Sequence, residues 1–201
     1  MSMDNETAKA AQSRRTKQAL IAAATKLFGR QGFSAVGLDD IARAANVTTG
    51  AIYHNFGSKR ALFAEVYKAL ADDVLRQAKA DSRSAVEQAN AQTIERAVLG
   101  FAMAFDSISA EANRRVLLED GPTVIGRKAA RRGFHSKALQ ILEDGLGLLM
   151  ANGGIEPQPT NLLAHMLFGA LLEATNVSSD DRKALSAEFN AVVLSMVRVR
   201  A

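Results

Sequence analysis

The chain has 201 residues, 48% apolar and 23% charged, which suits one or two globular domains with a sizeable core. It has no cysteine, which excludes disulfides, thiolate chemistry and cysteine-ligated metals. Its three histidines, His54, His135 and His165, lack any metal-binding spacing, and no apolar run reaches transmembrane length. No metal or cofactor is expected, and the cytoplasm is the expected compartment.

The net charge of +4 is uneven. Residues 1–60 hold nine Lys/Arg against four Asp/Glu, net +5, which leaves −1 for the remainder. A basic N-terminal domain on a near-neutral body fits either a polyanion met at one end or a solvated basic face.

No segment alternates with period two, so the chain reads as all-α, with about nine helices. Residues 1–12 are small and polar and are expected to be a disordered lead-in. From about Ser13, Leu20, Ala23, Ala24, Leu27 and Phe28 mark one face of a helix that stops at Gly32, with Phe33 folding back onto it. Leu38 to Ala45 makes a short second helix with Asp39 and Asp40 in its first turn. Asn46 and Val47 then form a turn.

Thr48 is placed to cap a third helix, Thr49 to Phe56, through its hydroxyl. Ala51, Ile52 and Phe56 anchor this helix, while Thr49, Gly50, Tyr53 and His54 occupy the opposite side. Gly57 ends it, Ser58 caps the next, and Lys59 stands in a first turn where the macrodipole disfavours a cation unless a phosphate is near.

A longer helix follows, from Arg60 to about Ala80, and residues 81–88 read as a boundary. Helical patterns return over Ala89 to Ser107 and Val116 to Leu118. Asp120-Gly121-Pro122 reads as a break, followed by a long helix from about Gly126 to Met150. Two last helices are expected, about Thr160 to Asn176 and Asp180 to Arg198.

Residues 14–63 resemble the TetR family of bacterial transcriptional regulators. The resemblance is carried by ALIAAATKLFGRQGF, LDDIARAANV, TTGAIYHNF and GSKRALF, in that order. It implies a helix-turn-helix DNA-binding domain over 13–58 and a larger helical effector-binding and dimerisation domain over 59–201. It also implies a ligand-responsive repressor that binds a palindromic operator in double-stranded DNA as a homodimer. A dimeric regulator without a small-molecule effector, or an activator, is the alternative. The chain departs from the family where Val36 and Gly37 replace the usual Thr or Ser before the second helix, so the phosphate contact of that hydroxyl is not carried over.

The expected DNA-binding set is Thr48, Thr49, Gly50, Tyr53, His54 and Lys59, with Arg14, Arg15 and Lys17 reaching the flanking backbone or forming a solvated arm. Gly50 would permit close backbone approach. Thr49 would meet a thymine methyl or a phosphate, and Tyr53 a phosphate unless its ring is packed inside.

An effector pocket is expected among Phe101, Met103, Phe105, Leu117, Phe134, Leu142, Met166 and Phe168, residue types that more often simply fill a core. The dimer seam is assigned to Leu162, His165, Met166, Gly169, Ala170 and Glu173, with Leu185, Phe189, Val192, Val193 and Met196 on the last helix. His165, Glu173 and Asn176 would bond across that seam or orient a ligand. His135 is expected at the surface. The nucleophile elbow, P-loop, dinucleotide fingerprint and metal cluster of common enzymes are missing, so an enzyme is not expected.

Overall fold

The computed structural model describes residues 2–87, 107–108, 110–151, 153 and 155–175. The expected helices over 89–107 and 180–198 lie largely or wholly outside them. The described chain folds as α1 (Ser2–Gln31), α2 (Leu38–Ala44), α3 (Thr49–Phe56) and α4 (Lys59–Glu87), then α5 (Glu111–Arg114). A π-helical turn, Arg115–Asp120, leads into α6 (Gly121–Val124). Next come α7 (Arg127–Ala130), a second π turn (Arg131–His135), α8 (Ser136–Ala151) and α9 (Thr160–Ala174). No β-strand forms among the described residues.

The chain divides into two compact units, Met1–Ala71 with Glu111–Arg131, and Asp72–Ala110 with Arg132–Ala201. The core of the first is built from Leu20, Ala24 and Phe28 of α1, Ile41 of α2, Ile52 of α3, Leu62, Phe63 and Val66 of α4, and Val116 of the π turn, all buried. Phe33 does fold back: its ring centroid lies 5.7 Å from Phe28 and 5.2 Å from Phe63. Phe28 and Phe63 are also 5.2 Å apart. Such ring pairs each add about 0.5–1.5 kcal/mol beyond the area they bury.

Gly32 ends α1 at φ +81, with its N–H on the Phe28 carbonyl at 2.8 Å. In the second unit α8 and α9 pack together. Leu146 and Leu149 of α8 and Leu163, Ala164, Leu167, Phe168 and Leu171 of α9 are buried there.

Several boundaries differ from the sequence expectation. α1 is helical from Ser2, inside the expected lead-in, where the AKAAQ run supplies strong helix formers. α4 runs on to Glu87, through the polar boundary expected at 81–88. Asp120-Gly121-Pro122 does not break the chain: the Gly121 N–H bonds the Val116 carbonyl, and Pro122 sits in the first turn of α6, where proline is tolerated. The break falls at Gly126, whose φ of +94 lies in the left-handed region. The expected single helix over 126–150 is interrupted by the second π turn.

Candidate nucleic-acid interface

The helix-turn-helix is assembled from local signals. α2 starts at Gly37, which has extended dihedrals and offers no side-chain cap. Asp40 Oδ2 instead accepts the Gly37 N–H at 3.3 Å, so part of the capping function lost with Thr or Ser is supplied from inside the helix. Val36 is buried. Between α2 and α3, Asn46 takes φ +54, a conformation that asparagine tolerates better than most residues. The Val47 N–H then bonds the Ala42 carbonyl at 2.9 Å and closes the turn.

α3 has eight residues, too few to persist alone, and it is held by Ile52, which is fully buried. Ala51 and Phe56 are half-buried beside it. Gly57 ends the helix at φ +77 with its N–H on the Tyr53 carbonyl at 2.9 Å. The Ser58 hydroxyl accepts the Ala61 N–H at 3.1 Å and caps α4.

The opposite side of α3 is open. Gly50, Tyr53 and His54 are exposed, Tyr53 to 57%, which rules out the packed-ring alternative for its phenol. A methyl group built on Gly50 would have as its nearest neighbour Thr48 Oγ1, at 3.8 Å, so nothing inside the chain demands glycine there.

Two threonines depart from expectation. Thr48 occupies the N-cap by its backbone, with its carbonyl accepting the Ala51 N–H at 3.0 Å, but its side chain makes no cap hydrogen bond. The half-buried Thr49 donates its hydroxyl to Asp39 Oδ1 at 2.6 Å. Its single proton is thereby committed, which leaves the methyl as the group suited to an outside contact. Asp39 was not singled out in the sequence because an acid in a first turn is ordinary.

Arg14 and Arg15 are exposed on α1. Lys17 is drawn aside by Glu65 at 3.1 Å, with its ammonium 5.6 Å from the Phe56 ring centroid. Lys59 lies 4.5 Å over the Phe33 ring, a cation–π contact that offsets its unfavourable first-turn position.

The remaining candidates scatter. Leu117 belongs to the core of the first unit, while Phe134 and Phe168 are buried in the second and Leu142 is half-buried. Phe101, Met103 and Phe105 lie outside the described residues. Met166 is 47% exposed, on the outer face of α9, so it does not line a cavity with Phe168. An open cleft of about 570 Å³ lies instead between α4 and α8. It is lined by Asp72, Leu75, Arg76, Lys79, Ala80, Lys137, Gln140, Ile141 and Asp144, none of them a pocket candidate.

The outer face of α9 presents Leu162, His165, Met166, Gly169, Ala170 and Glu173. His165 Nδ1 lies 2.9 Å from the Asn161 carbonyl of its own helix. Leu185, Phe189, Val192, Val193 and Met196, like Asn176, lie outside the described residues. His135 is not at the surface: it is half-buried, with its ring edge-on to Phe168 at 4.5 Å, because the π turn rotates it inward. Among the described residues no cluster of His, Asp and Glu could hold a metal ion, and no helix is long and apolar enough to cross a membrane.

A short helix with an open polar face, docked by one buried isoleucine behind a tight turn, is a helix-turn-helix, the motif whose second helix enters the DNA major groove. Residues 20–66 match the bacterial regulatory proteins of the tetR family, and residues 95–199 match the tetracyclin repressor-like C-terminal domain. The chain belongs to the TetR family.

It is similar to the HTH-type transcriptional regulator AcrR of Shigella flexneri, 42% identical over 57 residues that cover 28% of this chain and 26% of that protein. It is also similar to the regulator HbdR of Aromatoleum sp. (strain CIB), 33% identical over 158 residues, 74% of this chain and 63% of that one. The chain thus spans about a quarter of the first relative and under two thirds of the second. Its fold is that of FadR from Bacillus subtilis, solved in complex with stearoyl-CoA: TM-score 0.69, 22% identity, covering 89% of this chain and 97% of that one.

Proposed function

We propose that this protein is a cytoplasmic, ligand-responsive repressor that binds a palindromic operator as a homodimer and has no enzymatic role. The observation that carries operator binding is the open face of α3, where Tyr53 and His54 are exposed beside Gly50, a glycine with room for a methyl group. In this reading Thr49, Gly50, Tyr53 and His54 face the major groove. Thr48, Lys59, Arg14 and Arg15 meet phosphates, and Lys17 joins them by leaving Glu65. Base contacts carry sequence information and phosphate contacts carry salt dependence.

Homodimerisation is supported by α9. Leu162 and Met166 are 62% and 47% exposed, one turn apart, and a Cβ added at Gly169 would meet nothing within 4 Å. An apolar ridge beside small residues fits close approach of a second helix, and a two-fold pair matches a palindromic site. Ligand response is supported by the likeness in fold to FadR, whose structure holds stearoyl-CoA. The effector would bind in the helical body and must prefer the state that does not fit the operator, since only differential affinity shifts an equilibrium.

Gel-shift titration and footprinting on the DNA upstream of the protein's own gene, across a salt series, test this reading. A protected palindrome with steep salt dependence is expected. Folded, dimeric protein that selects no site from genomic DNA would overturn it.

A further inference from the structure

The two compact units separate charge more sharply than the cut at residue 60 does. The first holds fifteen Lys/Arg against eight Asp/Glu, net +7; the second holds ten against thirteen, net −3. Three of the first unit's cations, Arg127, Lys128 and Arg131, come from outside the N-terminal stretch and belong to a segment that a linear reading assigns to the body.

All three are exposed. Lys17, Arg43, Arg114 and Arg115 of the same unit are matched to carboxylates, whereas these three, like Arg14, Arg15 and Arg60, make no ion pair among the described residues. Their placement works against folding. Arg127 and Arg131 are like charges four residues apart on one helical face, and Arg127 and Lys128 lie in a first turn that holds no acid.

The backbone beneath them is nevertheless held in place. Gly126 sets the turn at φ +94, Ala130 is buried, and its carbonyl accepts the Tyr67 hydroxyl of α4 at 3.0 Å. The backbone that carries these three cations is therefore anchored in the unit that also carries α3. An exposed cationic patch on an anchored backbone, in the unit that carries the helix-turn-helix, complements a phosphate backbone.

We infer that Arg127, Lys128 and Arg131 form a second DNA-contacting patch, which meets backbone phosphates outside the reach of the helix-turn-helix. The inference rests on DNA binding by this chain. It adds a non-specific, salt-dependent share of affinity from residues that read no bases.

The test compares full-length protein with the R127Q/K128Q/R131Q variant on the upstream DNA and on an unrelated duplex, by anisotropy across a salt series. A control variant, R76Q/K79Q/K137Q, removes the same charge from the second unit. Loss of three phosphate contacts should lower the magnitude of the log–log salt slope by about two to three per subunit and weaken binding to both duplexes at least about tenfold near 0.1 M salt. The control should keep the wild-type slope. Equal slopes and affinities for wild type and R127Q/K128Q/R131Q would overturn the inference, as would an equal loss in the control, which would assign the effect to net charge. Absence of wild-type binding to either duplex at low salt is a different failure, that of the regulator reading itself.

Discussion

The Asp120 carboxylate accepts the backbone N–H of Phe33 at 2.7 Å, a bond between residues 87 apart in the chain. Beside it, Arg115 donates to the carbonyls of Gly29, at 3.4 Å, and Arg30 at the C-terminal end of α1. The guanidinium serves orphan carbonyls in the last turn of α1, and the carboxylate serves the N–H of a residue just beyond it. Asp120→Ala should therefore destabilise the protein by about 1–3 kcal/mol, the cost of an unpartnered, partly buried N–H. Urea unfolding followed by circular dichroism checks this. An unchanged midpoint would mean that water replaces the carboxylate without penalty.

Gly121 lies against the Tyr67 ring. A Cβ there would come within 2.8 Å of Tyr67 Cδ2 and 2.9 Å of the Val116 carbonyl, closer than real Cβ contacts allow. Gly121→Ala must displace a buried ring or the π turn, at about 1–3 kcal/mol, although alanine is the better helix former. A thermal melt showing stabilisation would contradict this packing.

Burial pushes the Tyr67 hydroxyl up to about 12 from its ordinary 10.0. The folded state then keeps a proton that the unfolded chain gives up, so this contribution to stability is whole below pH 10 and falls away as pH rises toward about 12. At about 1.4 kcal/mol per pH unit the loss amounts to about 3 kcal/mol. Tyr67→Phe should flatten the stability profile over that window. It should also cost about 1 kcal/mol at neutral pH through loss of the bond to the Ala130 carbonyl. Denaturant midpoints at several alkaline pH values measure both effects.

On α3, Tyr53→Ala and His54→Ala remove exposed side chains, so unfolding midpoints should stay within about 0.5 kcal/mol of wild type. Operator affinity should fall by about 1–3 kcal/mol each. Lys59→Ala should weaken binding evenly across sequences and reduce the salt slope by about one per subunit, with a small stability loss from the vacated Phe33 ring. Gel shifts of the folded variants at unchanged affinity would remove α3 from the interface.

Met166→Glu places a charge on an exposed position of the monomer, so the fold should survive while the dimer dissociates. Sedimentation velocity should show monomers at concentrations where wild type is dimeric. A dimeric variant would place the seam elsewhere.

The helix-turn-helix was legible because its signals are local: Gly32 and Gly57 as stops, Asn46 at the turn, and Ile52 and Phe56 one turn apart. The middle of the chain was not, because its features depend on distant partners. Nothing near Asp120 in sequence indicates that its carboxylate serves Phe33, and Gly121-Pro122 reads as a break unless the Tyr67 ring opposite it is known. The unit boundary inside α4 was hidden because the apolar stripe from Val66 to Val74 crosses it without a change of composition. An effector pocket is hard to read for another reason: Phe134 and Phe168, both only 2% exposed, look the same whether they fill a core or wait for a ligand.

In the proposed interface, Gly50 sets DNA binding against stability. With space for a methyl group and a helical backbone, Gly50→Ala should raise the melting temperature while lowering operator affinity. A directed search for hardier variants, scored on heat resistance alone, would accept this exchange early and deliver a sturdier protein blind to its target. In the proposed interface this position sets robustness against recognition, with room for a methyl group left open beside Thr48.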